Sequence, residues 1–323
     1  MQIIDAASTR RHLGFAPLIE ALRAMFAAGC EVPLRHTHAI GDDGTLLLMP
    51  AWRAGARLGI KTVTIFPGNS AQGQPALNST YLLFDASTGA PLALLDGDAI
   101  TSRRTAAASA LAASFLARAD ASRLLIVGTG RVAALLADAM RTVRPIAQVQ
   151  VWNHRAASAH ALAAHLRDAG IEAHATDDLA QAASNADIIS CATLATAPLI
   201  RGEWLRPGTH LDLIGSFTPQ MREADAACFA RCRVFVDTEE ALVKSGDLLQ
   251  ALAEGAFGAD RLQGTLADLC TGRAGGRTDA LACTLFKSVG SALSDLAAAE
   301  LVFDAVQRES VSCTASNSPD PTP

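Results

Sequence analysis

Charge is scarce in this chain. Only 18% of the residues are Asp, Glu, Lys or Arg, the net charge is −5, and the basic residues never cluster beyond the pairs Arg10-Arg11 and Arg103-Arg104. A nucleic-acid surface needs grouped cations, so that class of partner is excluded. Long apolar runs are missing too. The longest uncharged Ala-rich stretch extends only from Thr105 to Ala117, whereas a membrane-spanning helix needs about 20 residues. Asp5, Arg10 and Arg11 stand where a secretory signal would carry its apolar core. No membrane association is expected, and a cytoplasmic location is. The seven cysteines are odd in number and irregularly spaced, as suits reduced thiols in a large domain. Cys228 and Cys232 could share a helix face, but no second ligand pair follows at zinc-site spacing. His36-x-His38 lacks a third ligand in the same way, so no metal is expected. The chain also has no G-x-S-x-G elbow, and with it goes the serine-hydrolase reading.

What is present is apolar: half of the 323 residues are hydrophobic, enough for one large domain or two of ordinary size. The middle of the chain alternates strand and helix. Candidate strands are "RLLIVG" (123–128), "QVQVW" (148–152), a short one near "EAHAT", "IISCAT" (188–193), "HLDLIG" (210–215) and "RVFVD" (233–237). Helical patterns lie between them, one of them N-capped by Asp177 or Asp178. Near-continuous apolar strands with intervening helices predict a parallel sheet covered on both faces. The first 117 residues differ. A helix, "FAPLIEALRAMFAAG", precedes candidate strands "LRHTHAI", "TLLLMPA", "IKTVTIF" and "TYLLFDA", with a hairpin signal at Gly41-Asp42-Asp43-Gly44. This predicts a separate α+β unit.

After residue 279 the sequence reads as one long helical pattern, expected to pack back on the first unit. The boundaries expected are therefore 1–117 plus 283–307 for the α+β unit and 118–282 for the parallel-sheet unit. Residues 308–323 read as a polar, Pro-rich, disordered tail. There is no internal repeat.

"VGTGRVA" supplies Gly128-x-Gly130-x-x-Ala133, directly after an apolar strand and opening a helix, the context that makes a dinucleotide fingerprint meaningful. Gly128 permits the tight turn, and Gly130 lets the backbone approach a pyrophosphate facing the helix N-terminus. Arg131 and Val132 complete the turn. At the end of the second strand, "VWNHR", an NAD site usually has a carboxylate for the ribose 2′-hydroxyl. Here Asn153 and Arg155 stand instead. Nothing there repels a 2′-phosphate and Arg155 can pair with one, which predicts NADPH as the preferred cofactor over NADH.

Three cations in the first unit sit among apolar or small residues: Arg35 in "VPLRHTH", Lys61 in "LGIKTVTIF" and Arg104 in "TSRRTAAAS". Singly, each reads as a strand-edge or surface charge. An ammonium buried without a partner costs several kcal/mol, so a Lys inside a β-branched strand asks for an anion. Converging cations suit a carboxylate, with the Arg fork making bidentate contact. The loop "IGSFTP" poses the opposite puzzle, since nothing ionisable lies between Asp212 and Arg222.

Together these stretches resemble the ornithine cyclodeaminase/mu-crystallin family from about residue 15 to 307. The carrying segments are "VPLRHTHAIGDDGTLLLMPAW", "GIKTVTIFPGN", "LLFDASTGAPLALLDGDAITSRRTAAASALAA", "LLIVGTG", "CATLATAPL", "IGSFTPQMREAD" and "TLFKSVGSALSDLAAA". The resemblance implies a Rossmann domain inserted into an α+β domain that binds substrate and makes a homodimer. It places Arg35, Lys61 and Arg104 on the family's carboxylate ligands, with Lys61 the candidate catalytic group. Thr193, Gly215, Ser216 and Ser288 join Gly128, Gly130, Arg131, Val132, Asn153 and Arg155 as expected cofactor contacts. One departure matters. Where cyclodeaminases have Gly-Gly-Asp-Cys-Pro, with the Asp activating water, Phe217 stands here. Phe cannot accept a proton. The "SFTP" variant is similar to the family's ketimine reductases, which implies NAD(P)H-dependent reduction of Δ1-pyrroline-2-carboxylate or Δ1-piperideine-2-carboxylate to L-proline or L-pipecolate, with Phe217 against the substrate. The rival readings are an alanine-dehydrogenase-like enzyme, an ornithine cyclodeaminase and a non-catalytic NADPH-dependent ligand-binding protein.

Overall fold

Strand-forming β-branched residues and helix-forming Ala and Leu sort this chain into two units, seen in a computed structural model that describes residues 1–315. The first unit comprises Met1–Met25, Gly29–Arg104 and the stretch from Ala292 onward; the second comprises Phe26–Ala28 and Thr105–Ser291.

The first unit is a six-stranded sheet with helices packed on it. Its strands are β1 (Gln2–Ile4), β2 (His36–Ile40), β3 (Gly44–Trp52), β4 (Arg57–Ile65), β5 (Leu77–Asp85) and β6 (Pro91–Asp96). They lie in the order β1-β6-β5-β4-β3-β2, antiparallel throughout except for the β1–β6 pair. The expected hairpin at 41–44 joins β2 to β3. Alternation along β4 buries Gly59, Lys61 and Val63 on one face, and level with Lys61 lie Met49 and Tyr81 on the neighbouring strands. The helix Ala292–Ala315 packs against β3 and β4, as its sequence led one to expect.

The second unit is a wholly parallel eight-stranded sheet in the order β13-β12-β14-β11-β10-β7-β8-β9. Its strands are β7 (Arg123–Val127), β8 (Gln148–Trp152), β9 (Ala173–Ala175), β10 (Ile188–Cys191), β11 (His210–Leu213), β12 (Arg233–Val236), β13 (Leu262–Thr265) and β14 (Thr284–Lys287). Fully buried strands such as Leu124–Val127 and His210–Leu213 need helices on both faces. Asp178, one of the two expected caps, accepts a hydrogen bond from Gln181 N–H at 2.9 Å.

Four expectations are corrected. "TLFK" is not helix: its four residues are all buried as β14, between β11 and β12. The second unit accordingly extends to Ser291, past the expected limit of 282, because a strand in the middle of a sheet cannot belong elsewhere. The first unit ends at Arg104, inside the helix Gly97–Leu116, rather than at 117. At the other end the last helix runs on to Ala315, beyond the point where a disordered tail was expected; residues 316–323 of that tail lie outside the described residues. Among the described residues no helix is long and apolar enough to cross a membrane.

Candidate functional site

Lys61 is 3% exposed, and its ammonium lies 2.8 Å from a carboxylate of Asp295, which is fully buried. Arg104 reaches the other carboxylate oxygen through Nε, also at 2.8 Å. Strand β4, the helix Gly97–Leu116 and the helix Ala292–Ala315 thus each supply one charge, all within the first unit. Thr101, one helical turn before Arg104, accepts a further hydrogen bond from Lys61 Nζ at 3.3 Å. Arg35, just before β2, is close enough for its charge to act on Lys61. The structure therefore brings together the three cations singled out in the sequence.

The electrostatics follow from burial. Desolvation pulls the Lys61 ammonium down to about 8; Asp295 opposes that shift, while Arg104 and Arg35 add to it. Burial alone would raise the Asp295 carboxyl, but Arg104 and Lys61 outweigh it and hold it below the ordinary carboxylate range. Two buried cations share the single Asp295 carboxylate and the Arg35 charge acts on Lys61, a cationic setting that favours an incoming carboxylate. Asp295 was missed in the sequence. Its signal is the same as that of Lys61, a lone charge inside the apolar run "SALSDLAAA".

In the second unit Gly128 directly follows β7 with φ 110°, and a Cβ there would lie 2.5 Å from the Ala192 carbonyl oxygen, so only glycine fits. Around Gly130 nothing lies within 4 Å of an added Cβ. That open face, beside the first residues of the helix Ala133–Arg141, suits a pyrophosphate. Arg131 is exposed and Val132 half-buried at this turn. At the end of β8, Asn153 Nδ2 donates to the Arg155 carbonyl at 3.4 Å, and Arg155 itself is exposed. Neither Asn153 nor Arg155 is a carboxylate.

The loop after β11 is unlike its sequence. Ser216 has φ 56°, uncommon for a residue with a side chain, and its buried hydroxyl donates to the Met221 carbonyl at 2.6 Å while accepting from Asp247 N–H at 2.9 Å. That hydroxyl is committed inward. The hydroxyl and amide of Thr193 likewise both donate to Glu223 Oε1 at 2.8 Å. Ser288 is nearly buried and its amide donates to the Leu213 carbonyl. Gly215 is fixed by its surroundings, because a Cβ would lie 2.3 Å from the Thr193 carbonyl oxygen. Phe217, by contrast, is 44% exposed.

Beneath this loop lie ionisable groups that the quoted stretch does not betray. Lys287, fully buried on β14, donates to the Leu213 carbonyl at 3.0 Å and to the Gly215 carbonyl, with Asp247 3.8 Å away. Burial pushes the Glu223 carboxyl up to about 8 in spite of Lys287. The loop is held from below by a charged network and carries an aromatic ring above it. No group of three or more His, Cys, Asp or Glu suited to a metal occurs among the described residues.

Fold and site define a class: a Rossmann-type parallel sheet with a dinucleotide turn, inserted in sequence into an α+β unit that carries a buried cation cluster. The chain belongs to the ornithine cyclodeaminase/mu-crystallin family, whose model matches residues 7–310. It is 39% identical over 303 residues to a Δ1-pyrroline-2-carboxylate reductase of Paracoccus denitrificans, covering 93% of this chain and 96% of that one. The Thermococcus litoralis Δ1-pyrroline-2-carboxylate reductase, solved with NADH and L-proline, superposes with a TM-score of 0.90 at 31% identity, covering 96% of this chain and 98% of that one. An archaeal alanine dehydrogenase dimer with bound NAD gives a TM-score of 0.90 at 27% identity, with coverages of 96% and 97%.

Proposed function

We propose that this protein reduces a cyclic imino acid, Δ1-pyrroline-2-carboxylate or its six-membered homologue, to the L-amino acid, with NADPH preferred as cofactor. One observation carries the reading: Lys61 and Arg104 are buried around Asp295 with Arg35 near, a cation cluster suited to a small carboxylate. Family membership and the likeness to two Δ1-pyrroline-2-carboxylate reductases support it. A homodimer is part of the proposal, supported by the dimeric alanine dehydrogenase relative.

The cofactor supplies hydride when bound. Gly128, Gly130 and the turn at Arg131 and Val132 hold its pyrophosphate, and Asn153 with Arg155 holds the 2′-phosphate. Arg35, Lys61 and Arg104 fix the substrate carboxylate, and Asp295 keeps two of those side chains aimed. A protonated C=N bond needs no further acid when hydride arrives at carbon, so positioning and exclusion of water do most of the work. Phe217, with no lone pair, takes no part in proton transfer. Assaying both cyclic imines, and pyruvate with ammonia, against NADPH and NADH tests the reading. Rapid turnover only with pyruvate and ammonia would replace it by the alanine-dehydrogenase-like alternative.

Two predictions belong here. The Lys61 ammonium must be charged to hold a carboxylate, and burial brings its pKa to about 8. Its proton is present below that value and lost above it, so kcat/KM for an imino acid should fall as pH rises through about 8. Lys61→Arg should remove this alkaline limb, because a guanidinium does not titrate there; an unchanged limb in the variant would assign it to another group. The second prediction concerns Arg155. Arg155→Ala should weaken NADPH binding about tenfold or more, the loss of one charge-assisted contact of ~1.5–3 kcal/mol, and leave NADH nearly unaffected. Equal losses in titrations of the two cofactors would take Arg155 out of the site.

A further inference from the structure

Two cysteines stand side by side at the N-terminal edge of the parallel sheet. Arg233 on β12 is level with Thr284 on β14, so the residues one step earlier, Cys232 and Cys283, are level as well. The Arg233 N–H donates to the Cys283 carbonyl at 2.9 Å, which fixes that register at the strand ends. Level residues on neighbouring strands point to the same face, and both thiols do: Cys232 is buried in the hydrophobic cluster against which Cys283 packs. Adjacent strands lie ~4.8 Å apart, inside the ~4.4–6.8 Å Cα separation that a disulfide accepts. Both cysteines are free in this structure.

The two thiols are not equivalent. The neighbouring Cys232 thiol, the Arg231 charge and the backbone amides of Thr209 and Gly208 hold the Cys283 thiol below its ordinary range, against a raising effect of burial. Its Sγ also lies 3.1 Å from the Arg206 carbonyl, to which the protonated form donates. Cys232 is pushed the other way, by Cys283 and by burial. Access decides which sulfur meets an oxidant first, and Cys283 is half-buried while Cys232 is buried. Cys228 is buried and raised by desolvation, with its Sγ 3.8 Å from the Ile200 carbonyl, so it is a poor competitor.

We propose that Cys283 and Cys232 form a reversible redox pair that hydrogen peroxide converts to an intrachain disulfide. The Cys283 thiolate attacks one peroxide oxygen; the O–O bond breaks, hydroxide leaves, and the sulfur becomes a sulfenic acid. The Cys232 sulfur then attacks the Cys283 sulfur and the S–OH bond breaks. The departing hydroxide takes the Cys232 proton and leaves as water. Two thiols and one peroxide give one disulfide and two waters, and a dithiol reductant reverses the change. The pair sits at the opposite end of β14 from Lys287 and belongs to no part of the proposed substrate or cofactor site.

Treating the full-length protein with stoichiometric peroxide, alkylating it after denaturation and mapping the peptides by mass spectrometry tests the pair. Two of the seven cysteines should escape alkylation and reappear as one linked peptide joining residues 232 and 283, and dithiothreitol should restore both. In C232S the reaction should stop at a Cys283 sulfenic acid that dimedone traps. C283S should leave Cys232 reduced. Wild-type protein that keeps all its thiols, that links Cys228 to Cys232, or that carries unlinked Cys283 on to a sulfinic acid would overturn the proposal.

Discussion

Asp295→Ala is expected to lower the stability of the protein by about 3–5 kcal/mol, the typical cost of leaving buried charge uncompensated. The residue is fully buried and touches Lys61 and Arg104, both of which are themselves nearly buried. Deleting its carboxylate leaves these two cations facing each other with Arg35 close by. Lys61, already brought down to about 8 with Asp295 present, would fall further and lose its proton near neutral pH. Denaturant unfolding should show a lower midpoint with an unchanged slope, and kcat/KM for imino acids should fall with it. The double variant Lys61→Met, Asp295→Leu should recover part of the stability, since an apolar pair of similar volume often replaces a buried ion pair without loss. It should remain inactive. A wild-type midpoint for Asp295→Ala would show that the cluster is not held as described.

The sequence made Lys61 conspicuous but did not say that the equally isolated Asp295 is its partner, and the reason is physical. An ammonium in a β-branched strand is conspicuous because burial costs it so much. The anion that relieves the cost lies far along the chain, on a helix that reaches it only through the tertiary fold. Periodicity reports local structure and is silent about such pairings. The same limit hid β14. Four residues, "TLFK", are too few to show a period, and a charged end disguises a strand whose lysine donates to loop carbonyls with Asp247 beside it. The Gly128 turn was legible because strand, glycines and helix are contiguous. The loop at 214–219 was half legible. Its lack of ionisable groups was plain, but Glu223, Asp247 and Lys287 beneath it come from three separate segments.

That loop sets the last expectation: the unmodified protein should release no ammonia from L-ornithine in the presence of NAD⁺, while reducing cyclic imines rapidly. Cyclodeamination as the resemblance describes it needs a carboxylate in the loop to activate water, and Phe217 has no lone pair to serve. The first acid after the loop, Glu223, is no substitute. It is buried, Thr193 donates twice to one of its oxygens, and desolvation lifts it to about 8, so at neutral pH it is largely protonated. Phe217→Asp should lower imine reduction about tenfold or more, since a carboxylate would bring water to the site and pair with the substrate iminium; displacing one charge-assisted contact costs ~1.5 kcal/mol or above. The same change need not create a cyclodeaminase, since Met221 beside the loop is apolar and buried, with its carbonyl accepting from the Ser216 hydroxyl. The deciding measurement is ammonia release by the wild-type enzyme. Multiple turnovers would mean that another group does the work of the missing Asp, and the reductase reading of this loop would have to be given up.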